Sequence, residues 1–258
     1  MSDVTVSVIM PVRNCATTVE ETLKSIFSQR NVEFELIVVD GHSNDGTSEM
    51  VKKLLRNSDY YELQNGQGLY AAINKGISLA SGQWIYIIGG DDRLRNDNVL
   101  SLLTQNVSRD ILLVYGDVMY HGNSSSWVRN HHISSFSWGL IWRNTLHQQS
   151  VLYRRELFKD FMFHQGFNVL SDYAFHLRLF IQKYVHIRNS AYRPMIIASC
   201  GANGLSKRFT VDLYKEELKV RKFAMPFWLF FLTAPWVFIK CFLKVSLFKR
   251  GVLNQEVR

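Results

Sequence analysis

The first hundred residues alternate unbroken apolar runs with segments of helical spacing. Residues 4–11, Val4-Thr5-Val6-Ser7-Val8-Ile9-Met10-Pro11, read as a strand stopped by proline. An apolar run without alternation suits a strand covered on both faces. Val19, Leu23, Ile26 and Phe27 then recur at helical spacing, and Thr17 with Glu20 makes a capping-box pattern ahead of them. Residues 34–39 are a second buried run, and Met50, Val51, Leu54 and Leu55 continue as a helix. A short strand at 60–63, a helix at 69–80 and the strand Ile85-Tyr86-Ile87-Ile88 follow. This order predicts an α/β domain with a mostly parallel sheet covered by helices.

From residue 111 the pattern loosens. Residues 111–119 read as a strand holding Gly116-Asp117, 121–126 as a polar turn, and 127–142 show no clean period. Residues 149–153 suggest a strand and 154–158 a short helix. Ser171 is placed to cap a helix over 172–180. A strand at 195–198, a flexible loop at 201–206 and an amphipathic helix at 210–221 complete this half.

The tail differs again. Residues 223–239 carry no charge and include Phe227, Trp228, Phe230, Phe231, Trp236 and Phe238, with Pro226 and Pro235 interrupting the run. A spanning helix needs roughly 17–25 apolar residues, so this one sits at the bottom of the range. Lys219, Arg221 and Lys222 precede it; Lys240, Lys244, Lys249 and Arg250 follow. Basic flanks suit a segment lying in, or dipping into, the cytoplasmic leaflet, with Lys240 and Lys244 snorkelling from one face. A helix docked on the protein's own core and a single span are the alternatives. The expected organisation is a domain over 1–222, with halves at 1–117 and 118–222, and a membrane-associating tail over 223–258.

The 258 residues are 47% hydrophobic and 20% charged, as in globular proteins, and the net charge of +8 points to an anionic partner. Nucleic acid is the weakest candidate, because the basic residues are spread along the chain or sit beside the tail and no binding motif is present. Three widely spaced cysteines, Cys15, Cys200 and Cys241, give no disulfide framework and no metal spacing, which favours a reducing cytosol. The N-terminus lacks the basic, apolar, small-residue order of a secretory signal.

Candidate chemistry concentrates where strands end, since open α/β sheets bind ligands beyond the carboxyl ends of their strands. The fourth strand ends on Gly89-Gly90-Asp91-Asp92. Two carboxylates there suit a Mg²⁺ or Mn²⁺ ion carrying a phosphorylated ligand, and a solvated turn is the plainer alternative. The second strand ends on Asp40, whose carboxylate is suited to the imide N–H of a uracil or the equivalent edge of another base. Asp45 and Thr47, in Asn44-Asp45-Gly46-Thr47, read as turn and cap residues. Gly66-Gln67-Gly68 is too short a pattern to carry meaning alone. Neither a P-loop nor a dinucleotide fingerprint is present. Asp172, at a helix N-terminus, is either a cap or a general base. His147 is more often structural than catalytic, and His131-His132 forms no zinc motif.

These pieces, in this order, resemble the family 2 glycosyltransferases, inverting enzymes of GT-A fold, and in particular the bacterial members that build capsule, exopolysaccharide or O-antigen. The matching segments are Val6-Ser7-Val8-Ile9-Met10-Pro11-Val12-Arg13-Asn14, then Ile37 through Thr47, then Gly68-Leu69-Tyr70-Ala71-Ala72-Ile73-Asn74-Lys75-Gly76-Ile77. Gly82 through Asp92, His147 through Arg155 and Ser171-Asp172-Tyr173 follow, so the resemblance covers residues 4–205. It implies a Rossmann-like nucleotide-binding half and a C-terminal apolar helical tail. It also implies transfer of a sugar from a nucleotide-sugar to a lipid-linked or oligosaccharide acceptor, at the cytoplasmic face of the inner membrane. Pro11, Asn14, Asp40, Asn74, Lys75, Gly90 and Asp91 would lie on the donor side. Asp91, with Asp92, would hold the divalent cation; Asp172 would be the base; His147 would be an acceptor-side candidate. Two departures stand out: Gly89 replaces the first acid of the D-x-D motif, and Gly41-His42 stands where many members have Asp-Gly. The alternatives are a catalytically silent binding subunit of the same fold and a sugar nucleotidyltransferase, which would want a glycine- and arginine-rich loop that Pro11-Val12-Arg13-Asn14-Cys15 is not.

Overall fold

The computed structural model describes residues 5–64, 68–121, 130–182, 185, 187–201 and 210–249, with side chains to 245. Gly66-Gln67, most of the 121–126 turn, residues 127–129 and nearly all of the 201–206 loop lie outside this set.

The apolar runs become strands β1 (Val6–Val12), β2 (Phe34–Asp40), β3 (Tyr60–Leu63) and β4 (Trp84–Ile87). These four pair in parallel in the order β3-β2-β1-β4. Helices α1 (Val19–Phe27), α2 (Thr47–Leu54) and α3 (Leu69–Leu79) are the crossovers. Along β1, Val8 and Met10 face one core while Ile9 faces the other. Both sets are fully buried, which is why the strand reads as a continuous apolar run. Register aligns the strand ends: Val12 pairs with Asp40, and Ile9 with both Ile37 and Ile87.

The sheet continues beyond β4 with mixed pairing. Strands β5 (Arg93–Leu94), β6 (Leu113–His121), β7 (His131–His132), β8 (Val151–Arg154) and β9 (Ser190–Gly201) extend it, β8 antiparallel to both β4 and β6, β9 parallel to β6. Helix α4 (Val99–Thr104) lies between β5 and β6. Helix α5 (Ser171–Ile181) packs on the second core, with α6 (Val211–Ala224) behind it and α7 (Phe227–Lys249) closing the described chain.

Three local expectations change. The capping box does not form: Thr18, not Thr17, takes the position before α1, and its hydroxyl donates to Gly90 O at 2.8 Å. The hydroxyl ties the β1–α1 loop to the β4 turn instead of capping the helix. Ser171 does not cap α5 either; Leu170 precedes the helix, and Ser171 Oγ is buried within its first turn. The capping role passes to Glu216 of α6, whose Oε1 accepts from Val169 N at 2.8 Å and Leu170 N at 2.7 Å. Finally, Pro235 lies inside α7 without ending it. Proline's fixed φ is already helical, so its cost is one hydrogen bond and a local clash. Thr233, Ala234 and Val237, all buried around it, hold the helix in place.

Candidate functional site

The ends of β1, β2 and β4 open into a cavity of about 850 Å³, lined among others by Pro11, Asn14, Gly41, Gly90, Asp91 and Asp172. That size suits a small-molecule ligand. The floor is the β4 turn, where the two adjacent aspartates part company. Asp91 is exposed and Asp92 is buried. Asp92 Oδ2 accepts from Gly89 N at 3.0 Å and Gln149 Nε2 at 2.8 Å, and its Oδ1 accepts from Gly201 N at 3.1 Å. Burial, and after it the neighbouring Asp91 charge, push the Asp92 carboxyl up to about 6. Asp92 is thus engaged inward, as a brace between the β4 turn, the turn before β8 and the end of β9. The exposed carboxylate is Asp91, whose Oδ2 lies so near Gly201 that a Cβ there would come within 2.5 Å. Gly90 needs its bare Cα as well: a Cβ would meet Cys15 Sγ at 2.5 Å.

On the far wall, the first turn of α5 presents Asp172. Its Oδ2 accepts from Asn144 Nδ2 at 3.3 Å and its Oδ1 from Tyr70 OH at 3.4 Å, both long bonds. The stronger bond of Tyr70 OH runs to Val169 O at 2.6 Å. Desolvation dominates, and pushes the Asp172 carboxyl up to about 6. A carboxylate more basic than an ordinary one is able to accept a proton near neutral pH.

The remaining candidates divide. Pro11, Asn14 and His147 line the cavity. Asn14 has φ 51°, and its Oδ1 accepts from Asn44 N at 3.0 Å, which locks the two strand-end loops together. His147 packs edge-on against Tyr120 at 5.7 Å. Asp40, Asn74 and Lys75 are not brought into the cavity. Asp40 is fully buried; Ser43 N and Oγ donate to Oδ1 at 2.8 Å, and Tyr61 OH donates to Oδ2 at 2.9 Å, alongside Ser48 Oγ. Burial is the largest single influence and raises its carboxyl, but these bonds together outweigh it and hold the carboxyl below the usual range. The cavity is reached there by Gly41 instead. Asn74 clamps Phe163 through bonds of 2.7 and 3.0 Å, and Lys75 pairs with Glu62 at 3.1 Å. Asp45 and Thr47 brace the β1 loop, taking Ala16 N and Cys15 N. Sequence reasoning passed over Tyr70, Asn144 and Gln149. Tyr70 and Gln149 lie within matched segments; Asn144 carries no signal, lying between the aperiodic stretch at 127–142 and the segment that starts at His147.

Residues 7–186 match the model of Glycosyl transferase family 2. The chain belongs to this family. A PGL/p-HBAD biosynthesis glycosyltransferase of Mycobacterium tuberculosis is 29% identical over 197 residues, covering 72% of this chain and 75% of that one. A GalNAc(5)-diNAcBac-PP-undecaprenol beta-1,3-glucosyltransferase of Campylobacter jejuni is 33% identical, over 44% of this chain and 38% of its own. Among solved structures, S. aureus TarS 1-349 superposes with TM-score 0.66 at 18% identity, over 98% of this chain and 76% of that one; a longer TarS chain is spanned to 39%. The mannosyltransferase PcManGT of Pyrobaculum calidifontis, solved with GDP-Man and Mn²⁺, gives 0.59 at 18% identity, over 92% and 69% of the two chains. These likenesses establish the GT-A fold, and the family makes the protein a glycosyltransferase.

The donor set for a cation in this glycosyltransferase is small. No three His, Cys, Asp or Glu side chains converge as a ligand group among the described residues. Mg²⁺ and Mn²⁺ sites at phosphorylated substrates need only one or two carboxylates, the phosphates and water completing the shell. The residues present fit that arrangement with Asp91 as the protein ligand. Asp92 does not fit it as placed, because three internal donors already take its oxygens.

Proposed function

We propose that this family 2 glycosyltransferase moves a sugar, with inversion, from a nucleotide-sugar to a glycan acceptor carried on a lipid, in cell-surface polysaccharide synthesis. The observation that carries the reading is one cavity with an exposed carboxylate, Asp91, at a strand end and a second, more basic carboxylate, Asp172, on the wall of α5. Pro11, Asn14, Gly41 and Gly90 cradle the nucleotide and diphosphate. Asp91 would hold a divalent cation, which would supply positive charge against the leaving diphosphate. Asp172 takes the proton of the acceptor hydroxyl while its oxygen bonds to the anomeric carbon; the bond from that carbon to the diphosphate breaks, and the diphosphate leaves with the electron pair. His147 stands on the acceptor side. The Campylobacter jejuni relative, named for an undecaprenol-linked substrate, supports the lipid-carried acceptor. Residues 1–222 form the catalytic unit, and 223–258 attach it to the cytoplasmic face of an anionic membrane. The long apolar helix α7 supports that attachment.

The test is nucleoside diphosphate release from a panel of UDP- and GDP-sugars, with extracted lipid as acceptor. Asp172→Asn is expected to cut turnover by about 10²–10⁴-fold and leave nucleotide binding intact. Turnover near that of the unmodified enzyme would remove Asp172 as the base.

A further inference from the structure

By length and composition, residues 227–245 are able to cross a membrane, and only 22% of the segment is buried. The way α7 is fastened argues against a crossing. Leu229, Thr233 and Val237 are buried on one face, and Thr233 Oγ donates to Leu229 O at 2.9 Å while resting on Met225 Sδ. Further along that side, Lys240 Nζ reaches both oxygens of Glu217 on α6, at 2.6 and 2.8 Å. Glu217 also accepts from Arg221 Nε at 3.1 Å and Nη2 at 2.8 Å. Arg221 is fully buried, and its Nη1 and Nη2 donate to Ile141 O and Trp142 O. Helix α7 is therefore fixed alongside α6 from Leu229 to Lys240, and through Arg221 to the catalytic body. The opposite face exposes Phe227, Trp228, Phe231, Phe238 and Phe242.

We propose that α7 is an in-plane anchor. It lies along the surface of an anionic phospholipid bilayer with its aromatic face in the lipid, and does not cross. This rests on the membrane attachment proposed above and fixes its geometry. The fastened stretch from Leu229 to Lys240 is about 16 Å long, more than half of a hydrocarbon core of about 30 Å. Stood upright, α7 would draw the neighbouring α6 into that core, with Glu217, Arg221 and the exposed Lys219 and Lys222. A charged lysine at mid-bilayer is costly to hold there. Laid flat, the helix sinks only about 5–10 Å, and those charges stay among headgroups. The choice of an anionic surface follows from charge. Between residues 213 and 245 the only carboxylates are Glu216 and Glu217, and both are used internally. Lys219, Lys222 and Lys244 are exposed. The flat pose also serves the cavity. Phe223, exposed at the end of α6, packs on Phe167 at 5.7 Å, and Phe167 lines the cavity. The rim thus lies near the lipid surface, where a lipid-carried acceptor presents its sugar.

The test places a nitroxide label on single cysteines, Phe227→Cys, Phe231→Cys, Phe238→Cys and Phe242→Cys, in a chain whose own three cysteines are replaced. Immersion depth is read on vesicles of phosphatidylcholine with phosphatidylglycerol. Residues 227 and 242 stand about 22 Å apart along the axis. An in-plane helix gives four similar, shallow depths, and binding is lost on pure phosphatidylcholine. Depths that run across most of the 22 Å mean a span and overturn the proposal. No immersion at any site overturns membrane docking itself; sugar transfer to a soluble acceptor, assayed alongside, shows whether the catalytic reading stands regardless. The unmodified protein gives a second reading. Added outside sealed vesicles, it should keep its C-terminal Lys249 and Arg250 open to external trypsin, whereas a span would carry them into the lumen.

Discussion

Asn144→Ala is the sharpest probe of the site, because it moves the proposed base without touching substrate chemistry directly. The Asp172 carboxyl is raised from 3.8 to about 6, chiefly by desolvation, and Asn144 Nδ2 is one of the groups that opposes the rise. With its carboxyl at about 6, Asp172 is about one-tenth ionised at pH 5 and nine-tenths ionised at pH 7, so kcat/KM should rise about tenfold between them. An unperturbed aspartate would leave that range nearly flat. The Asn144 bond is long, 3.3 Å, so its loss is worth about 0.5–1 kcal/mol, the low end for a hydrogen bond. The acidic limb of the profile should then move up by about 0.4–0.7 of a pH unit. The direction matters most. Removing a donor to a carboxylate disfavours the charged form, so the limb shifts to alkaline pH. Asp92 also titrates near 6, but its donors are Gly89, Gln149 and Gly201, and Asn144 is not among them. The assay is nucleoside diphosphate release at subsaturating substrate from pH 4.5 to 8. A limb that stays put, or moves to acid, would refute the assignment of this titration to Asp172.

Three further outcomes follow from the same geometry. The folded-state pKa of Asp92 is raised, from 3.8 to about 6, so its contribution favours the fold at low pH and is lost as pH rises through 6. Asp92→Asn removes that loss, so its stability relative to the unmodified protein should climb by about 2 kcal/mol between pH 4 and pH 7 in denaturant titrations; a constant difference would contradict the buried, ionising Asp92. Gly201→Ala places a methyl 2.5 Å from Asp91 Oδ2, so the carboxylate must swing aside, and turnover should need several-fold more Mn²⁺ for half-maximal rate. An unchanged cation requirement would free Asp91 from that role. Glu216→Ala strips the acceptor from Val169 N and Leu170 N, and should cost about 1–3 kcal/mol in urea unfolding.

The fold was legible where physics is local and symmetrical. Strands β1, β2 and β4 are buried on both faces, so their apolar runs announce themselves, and the helices between them bury regular stripes. Strand β5 and helix α4 escaped because they are too short to show a period; α4 buries only Val99, Leu100 and Leu103. The sequence pattern shows only residues 195–198 of strand β9, because only its inner part is well buried, while the Ser190–Met195 end lies half-exposed. Within the site, strand-end position pointed to Asp91 and a helix N-terminus to Asp172, but neither said which way a side chain turns. Asp40 shares that position, yet Ser43, Ser48 and Tyr61 converge on it from three segments and close it in. Asn144 is set by a loop whose geometry comes from Ser135 and Thr145 bonding each other, at 2.6 and 2.9 Å, across an aperiodic stretch.

The Gly89 departure and the inward turn of Asp92 are one structural fact. A Cβ on residue 89 would come within 2.8 Å of Asp92 Oδ2 and 3.1 Å of Asp91 Oδ1. The space that a first D-x-D acid would enter is therefore already filled by the carboxylate from three residues on, which takes the Gly89 N–H as well. An acid at 89 and a buried Asp92 exclude each other in this geometry. The turn keeps two carboxylates at the cavity, of which Asp91 is exposed and Asp92 is buried, its oxygens held by Gly89, Gln149 and Gly201.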